Sequence, residues 1–141
     1  LGHADRISLT LESAVSVPAP GQGIIAVEIR RGDGRARQAV ETIRDARAWT
    51  ALAAERAVVE RLGGGCQTPI GALAVDVGEH EIELSATVVA LDGSRAVRVS
   101  MRASDAEASA LGTRVAEELL AKGADEILED VRRQQGVQQI E

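Results

Sequence analysis

After Pro69, apolar side chains recur at every second position in three successive runs separated by short polar segments. The runs are Leu73, Val75 and Val77, then Ile82, Leu84, Ala86, Val88 and Ala90, then Val97, Val99 and Met101. This alternation is typical of strands with one buried face, and residues 78–80 (Gly-Glu-His) and 92–93 (Asp-Gly) between the runs favour turns. The pattern predicts a three-stranded antiparallel meander whose single apolar face must be covered by other elements.

Helical patterns flank the meander on both sides. Before it, Asp45 is predicted to cap a helix that ends at the glycines of residues 63–65. The face predicted to be buried carries Trp49, Leu52, Val59 and Leu62. After the meander, Ser104 and Glu107 are predicted to form a capping box. The next stripe consists of Ala108, Leu111, Val115 and Leu119, and beyond Gly123 a last short helix carries Ile127, Leu128 and Val131.

These patterns predict an α+β fold, with a C-terminal α-β-β-β-α-α domain whose three-stranded sheet is covered by helices on one side. The polar tail, residues 134–141, is predicted to fray. Within the first third, residues 16–23 (Ser-Val-Pro-Ala-Pro-Gly-Gln-Gly) predict a loop or hinge. Residues 24–30 (IIAVEIR) predict a strand buried on both faces, and a short helix follows, with Ala36, Ala39, Val40 and Ile43 on one face.

One strand and one helix cannot form a core by themselves. The first third is therefore predicted to be a strand-helix remnant of an α/β domain whose other strands are not in this chain, and the chain is expected to be a piece of a longer protein. Without its sheet partners, the segment 24–30 is an exposed edge. We expect it to be disordered, rearranged or paired with a second copy of the chain.

Composition excludes several classes of function. The 141 residues carry 16 Lys and Arg against 22 Asp and Glu, a net charge of −6, which argues against a surface that neutralises phosphates. Trp49 is the one aromatic residue, so base-stacking platforms are missing. No apolar run approaches the roughly 20 residues of a membrane span, and no secretory signal is visible. One cysteine makes neither an internal disulfide nor a zinc cluster, so a reducing cytoplasm is expected.

That cysteine, Cys66, is the main candidate for chemistry. Three glycines precede it and Pro69 follows it, which predicts an exposed or tightly bent loop between a helix end and the first strand. Backbone without side chains lets a large ligand approach the sulfur. A buried, inert thiol is the alternative, and the local sequence leaves both possibilities open. No spacing supplies an activating histidine.

The residues around Cys66 resemble a known signature. The run Glu55-Arg56-x-Val58-x-x-x-Leu62-x-Gly64-Gly65-Cys66-x-Thr68-Pro69-Ile70-Gly71 resembles the cofactor-attachment signature of hydroxymethylbilane synthase, also called porphobilinogen deaminase. The upstream stretch 18–23 with the following 24–30, the Asp-Gly pair at 92–93, and the segment 116–128 are also similar to this family. The resemblance covers nearly the whole chain.

The resemblance implies a transferase of porphyrin and haem biosynthesis. It joins four porphobilinogen units into the linear tetrapyrrole hydroxymethylbilane, with release of ammonia. The growing product is carried by a dipyrromethane cofactor, bound through a thioether to the cysteine that matches Cys66. Gly64 and Gly65 flank that position, and Gln22 and Gly23 match the hinge side of the cleft more weakly. No catalytic residue and no metal site is predicted in this chain.

By matching segments, the resemblance also divides the chain. Residues 1–23 match the end of a central domain and its hinge, residues 24–45 match the strand and helix that return to the first α/β domain plus a linker, and residues 46–141 match the C-terminal cofactor-attachment domain. Porphobilinogen would be bound through the N-terminal domains that are missing here. The whole enzyme is expected to be a cytoplasmic monomer without nucleic-acid or membrane partners. This chain without the other domains is expected to be inactive. If it is expressed without them, the cofactor is expected to be absent. Self-association through residues 24–30 is one of the outcomes expected for that segment.

Two other functions stay open at this point. An α-β-β-β-α order is also that of double-stranded-RNA-binding domains, although the net charge and the presence of a single lysine, Lys122, count against it. The chain could also be an inert structural remnant in which Cys66 has no role.

Overall fold

A computed structural model describes residues 2–65, 68–134 and 136. The helices are α1 (Gly34–Glu41), α2 (Ala46–Arg61), α3 (Ala108–Ala121) and α4 (Ala124–Gln134), and the strands are β1 (Ile70–Gly78), β2 (Glu81–Val89) and β3 (Ala96–Ser104), with short 3-10 turns at Ala4–Arg6 and Asp105–Glu107. From α2 onward the order is α-β-β-β-α-α, which confirms the predicted α+β class. Among the described helices, none combines the length and apolar character needed to cross a membrane. Most of the tail predicted to fray lies outside the described residues.

The sheet is an antiparallel meander in the order β1-β2-β3. Leu84 lies at its centre, opposite Ala74 on β1 and Met101 on β3. Helices α2, α3 and α4 pack on the face that Leu84 shares. The predicted stripes of α3 and α4 are confirmed, since all of their members are buried: Ala108, Leu111, Val115, Leu119, Ile127, Leu128 and Val131.

The buried face of β1 was predicted wrongly. Ile70, Ala72 and Ala74 face the core, whereas Val75 is 43% exposed and Val77 is 38% exposed. The pairing register decides the face, because Ala72 lies opposite Ala86 and Ala74 lies opposite Leu84, whose side chains enter the core. The larger side chains of the alternating pattern, Leu73, Val75 and Val77, therefore belong to the outer face.

The buried face of α2 also differs from the prediction. Leu62 is buried as expected, but Ala54, Glu55 and Val58 form the rest of the buried face, and Trp49 is 61% exposed. The reason is a close approach between helices: a Cβ placed on Gly112 of α3 would lie 2.2 Å from the carbonyl oxygen of Ala54. Small residues make this contact, so the large apolar side chains of α2 lie at its margin.

Ser104 forms only part of the predicted capping box. Its Oγ accepts a hydrogen bond from the amide of Ala106 at 3.4 Å, so it caps the 3-10 turn Asp105–Glu107. Helix α3 begins after that turn, with Glu107 at its N-cap position and no capping bond from the Glu107 side chain. The capping box fails because a 3-10 turn intervenes between the two predicted partners.

The predicted cap of α2 is confirmed and allows a stability test. Asp45 Oδ1 accepts hydrogen bonds from the amides of Arg47 at 2.9 Å and Ala48 at 3.0 Å. We expect Asp45→Ala to lower the free energy of unfolding, measured by urea denaturation, by about 1 kcal/mol. Asp33→Ala is the control, because Asp33 also caps a helix, α1, but that helix buries no residue. The loss of unfolding free energy in Asp33→Ala should therefore be smaller. A loss in Asp45→Ala no larger than that in Asp33→Ala would show that the cap of α2 does not contribute to the packed domain.

The N-terminal third contains no strand within its described residues. Residues 24–30 take no regular structure, and Ile25 is 90% exposed. The segment does not form the strand that its pattern favours, as expected for residues without their sheet partners, because a strand needs a neighbour for its backbone hydrogen bonds and none of the described residues provides one. The predicted short helix does form, as α1, without burying any residue. Pairing of residues 24–30 with a second copy stays a prediction.

Candidate functional site

The connection from α2 to β1, residues 63–69, is called the glycine loop below, and it begins with a sharp reversal of the chain. The amide of Gly64 donates to the carbonyl of Val59 at 3.0 Å, and the amide of Gly63 donates to that of Glu60 at 3.2 Å. This pair of bonds is a Schellman motif, in which the residue after the helix takes a left-handed conformation. Gly63 has φ +63°, as the predicted helix end requires.

The next two glycines play different roles. A Cβ on Gly64 would lie 2.7 Å from Cδ1 of Ile70, so this position packs closely under the start of β1. A Cβ on Gly65 would meet nothing within 4 Å, and Gly65 is exposed. The glycine loop is therefore packed at Gly64 and open to solvent at Gly65.

The far end of the glycine loop is closed by Thr68. Its Oγ1 accepts a hydrogen bond from the amide of Gly65 at 2.8 Å, and its own amide donates to the carbonyl of Gly65 at 2.9 Å. The carbonyl of Pro69 then accepts from the amide of Val89 at 3.1 Å, which attaches the loop to β2. Only residues 66 and 67 lie between the paired Gly65 and Thr68. The predicted attachment residue Cys66 and its neighbour lie outside the described residues.

A second loop lies along the same strand. Residues 18–23, called the hinge loop below, approach the free edge of β1, where the carbonyl of Pro18 accepts from the amide of Ala72 at 2.9 Å. A Cβ on Gly71 would lie 2.8 Å from the carbonyl oxygen of Val17, so the two backbones are in close contact. The predicted site residues Gln22 and Gly23 are exposed in this loop, and Gly23 has φ +83°. The glycine loop and the hinge loop thus both attach to β1.

A buried carboxylate joins the hinge loop to the sheet. Glu55 on α2 is 4% exposed, and its Oε2 accepts from the amide of Gly21 at 2.7 Å. Its Oε1 accepts from the amide of Ala74 on β1 at 2.9 Å. Among the described residues, no cation forms a salt bridge with Glu55. Two backbone N–H groups therefore donate to this carboxylate, one from the hinge loop and one from β1.

Glu55 stood in the signature, but sequence reasoning assigned it no role. A signal was present, because Ala51, Glu55, Val58 and Leu62 recur at helical spacing, which puts a carboxylate in line with apolar positions. A buried carboxylate requires hydrogen-bond donors. The same spacing would also have identified the correct face of α2.

A groove between two helices lies elsewhere in the domain. It has a volume of about 660 Å³ between α2 and α3 and is lined by the side chains of Trp49, Leu52, Arg56, Ala57, Glu60 and Ser109, among others. None of Gln22, Gly23, Gly64 and Gly65 lines it. The described residues also contain no cluster of three or more His, Cys, Asp or Glu side chains that could hold a metal ion. The groove therefore contains none of the described residues that the sequence predicted for the site.

The outer face of the sheet carries polar groups that satisfy one another. Arg102 Nε donates to Glu83 Oε2 at 2.8 Å, and Ser100 Oγ donates to Glu83 Oε1 at 3.0 Å. The Arg102 hydrogen bond, and after it that of Ser100, lower the pKa of Glu83 below its ordinary value of 4.5. These two bonds explain the lowered pKa of Glu83, which therefore belongs to the solvated outer face of the sheet.

Comparisons with known proteins agree with the signature. A family model described as the C-terminal domain of porphobilinogen deaminase matches residues 49–121. A porphobilinogen deaminase of Carboxydothermus hydrogenoformans is 41% identical over 133 residues, covering 94% of this chain and 42% of that protein. One of Bordetella parapertussis is 44% identical over 131 residues, covering 93% and 41%. The chain thus spans about two fifths of the length of these relatives.

Fold and site together define a class of protein: an α+β domain with its one cysteine in a glycine-rich connection between the helix that opens the domain and the first strand of its sheet. Within that class, the matched domain and the sequence identities point the same way. The chain belongs to the porphobilinogen deaminase family.

Proposed function

We propose that this chain is the cofactor-bearing C-terminal part of an enzyme that joins four porphobilinogen units into hydroxymethylbilane and releases ammonia. The observation that carries the proposal is the glycine loop. It is packed at Gly64, closed by Thr68 and open at Gly65, with Cys66 between the two ends. The family membership of the chain supplies the substrate class.

The described residues fit a bulky group attached to Cys66. The space around Gly65 is empty to 4 Å from a Cβ position, so a large group can approach the loop from that side. Gly64 leaves no such space, because Ile70 occupies it. Both ends of the loop are tied to the domain, to α2 through the amides of Gly63 and Gly64 and to β2 through the carbonyl of Pro69. When bound there, a dipyrromethane supplies the free pyrrole position to which further units are added.

The chemistry of attachment suits a thiol. In its thiolate form, Cys66 is a soft nucleophile for the aminomethyl carbon of a porphobilinogen unit. The S–C bond forms as the C–N bond breaks, and the amine, which carries the proton that the thiol has given up, leaves as ammonia. No nearby base is required of this chain, and we propose no catalytic acid or base within it.

The reaction itself is proposed for the longer protein. This chain corresponds to about two fifths of its relatives, and the groups that bind porphobilinogen are proposed to lie in the remainder. We therefore expect no synthase activity from the 141-residue chain by itself. For the whole enzyme, we propose a cytoplasmic monomer.

The experiment is a measurement of intact mass under denaturing conditions. In a longer protein that contains this chain together with the missing N-terminal part, we expect added mass equal to two linked porphobilinogen units. Because the proposed thioether is at Cys66, Cys66→Ser should remove that mass completely. The 141-residue chain expressed alone should have its unmodified mass.

Two results would contradict the proposal. Added mass that persists in Cys66→Ser would place the attachment at another residue. A longer protein that makes hydroxymethylbilane without any added mass would show that Cys66 carries no cofactor. Binding of duplex RNA that weakens with salt would instead favour the RNA-binding alternative.

A further inference from the structure

The segment before residue 24 is attached to the C-terminal domain at four places. Arg98 on β3 donates from its guanidinium to the carbonyls of Ser13 and Ala14. Val17 packs against Gly71, and Pro18 accepts from Ala72. The fourth contact is the bond from the Gly21 amide to Glu55 at 2.7 Å.

These contacts stop at Gly21. The amides of Gln22 and Ile24 bond within the hinge loop, to the carbonyls of Ala19 and Gly21. Within the described part of the chain, no hydrogen bond links residues 24–33 to α2, α3, α4 or the sheet. Attachment therefore changes sharply at the end of the hinge loop.

Glu55 holds the last of these contacts, and among the four it is the one made by a buried charged side chain. Its carboxylate reaches from α2 to the edge of β1 through Ala74 and to the hinge loop through Gly21. Since both bonds are charge-assisted and one oxygen serves each amide, loss of either oxygen leaves a buried N–H without a partner. A side chain that merely filled space at this position would leave the hinge loop untied.

We propose that Glu55 is a positioning residue that latches the hinge loop to the cofactor-bearing domain. Residues 13–21 then move with that domain, and the pivot toward the rest of the protein lies in residues 24–33. The latch keeps Gln22 and Gly23 at a constant distance from the strand that the glycine loop enters. Its contribution to the reaction rests on the proposed function, whereas the latch itself does not.

The latch is tested by amide hydrogen exchange, measured residue by residue by NMR on the 141-residue chain. In the wild type, we expect the amides of Gly21 and Ala74 to be protected together, with Gly23 exchanging freely. Glu55→Gln retains one acceptor oxygen and turns an NH₂ group toward the other amide. We therefore expect Gly21, Ala74 or both to exchange about tenfold faster or more.

Glu60→Gln is the matched control, because Glu60 lies on the same helix and its exposed side chain forms a salt bridge with Arg56 at 3.6 Å. It should leave the exchange of both amides unchanged. Free exchange of Gly21 in the wild type would overturn the latch, and this measurement needs no variant to fold. Equal exchange rates of Gly21 and Ala74 in Glu55→Gln and the wild type would overturn it as well.

A functional readout separates the latch from simple stability. In the longer protein, Glu55→Gln should lower kcat about tenfold while KM stays within about twofold, because the groups proposed to bind porphobilinogen are not in this chain. The mass added at Cys66 should be unchanged. Loss of that mass in the wild type would refute the proposed function and leave the exchange result intact, so the two failures can be told apart.

Discussion

Replacement of Gly112 by alanine should lower the free energy of unfolding by about 3 kcal/mol. Alanine favours a helix over glycine by about 1 kcal/mol, so intrinsic propensity alone predicts the opposite sign. The new methyl group, however, would lie 2.2 Å from the carbonyl oxygen of Ala54 and 2.6 Å from Cβ of Ala57. Neither atom can move without shifting the backbone of α2, and the contact between α2 and α3 is the principal helix–helix contact of the domain.

Urea denaturation followed by far-ultraviolet circular dichroism measures this loss. The matched control is Gly34→Ala in α1, because a Cβ on Gly34 meets nothing within 4 Å. That variant should be neutral or slightly stabilising. A Gly112→Ala protein as stable as the wild type would show that α2 and α3 are farther apart than described.

Leu84→Ala should cost about 3 kcal/mol of unfolding free energy for the opposite reason, a cavity instead of a clash. Leu84 is fully buried on the central strand, among the largest such side chains of the domain. Its neighbours on β1 and β2 include Ala74 and Ala86, which are too small to fill the space that the leucine leaves. Because β2 is paired with a strand on each side, the sheet cannot shift to fill the cavity, and the packed helices cannot move into it.

Val77→Ala is the control for this variant, since Val77 lies at the end of β1 and is 38% exposed. It should change the free energy of unfolding by less than about 0.5 kcal/mol. Circular dichroism is again the suitable probe, because the single fluorophore, Trp49, is mostly outside the core. Similar losses in the two variants would mean that the centre of the sheet is not the centre of the core.

The order of elements could be predicted because each carries a local signal. Alternation identified the three strands, and Asp45 and Gly63 marked the ends of α2. The buried faces of α2 and β1 were predicted wrongly, because the prediction followed the large apolar side chains. Hydrophobic periodicity weights large side chains, whereas these two elements approach their neighbours through Ala54, Ala72 and Ala74.

Residues 24–30 illustrate a different limit. Their β-branched and apolar side chains favour an extended backbone, but a strand exists only where another strand accepts its hydrogen bonds. Whether a partner strand is present depends on the whole fold, so the residues of the segment do not specify it. The sequence pattern therefore predicted the local tendency, and the missing sheet partners account for the absence of a strand among the described residues 24–30.

The candidate site shows the same division. The glycines before Cys66 predicted an exposed or tightly bent loop, and the resemblance supplied the family and the cofactor chemistry. The bonds between Gly65 and Thr68, and those of Glu55, depend on how the loops return to β1 in three dimensions. Spacing in the sequence does not specify those distances.

The closure of the glycine loop by Thr68 limits how far an anchor on it can travel. Successive Cα atoms are about 3.8 Å apart, so the two residues between the paired Gly65 and Thr68 can extend the chain by only a few ångströms. Under the proposed function, the product grows by a whole pyrrole unit at each step, whereas the two bonds between Gly65 and Thr68 keep the loop from lengthening. We therefore expect the space for each added unit to come from the rest of the enzyme and not from this loop.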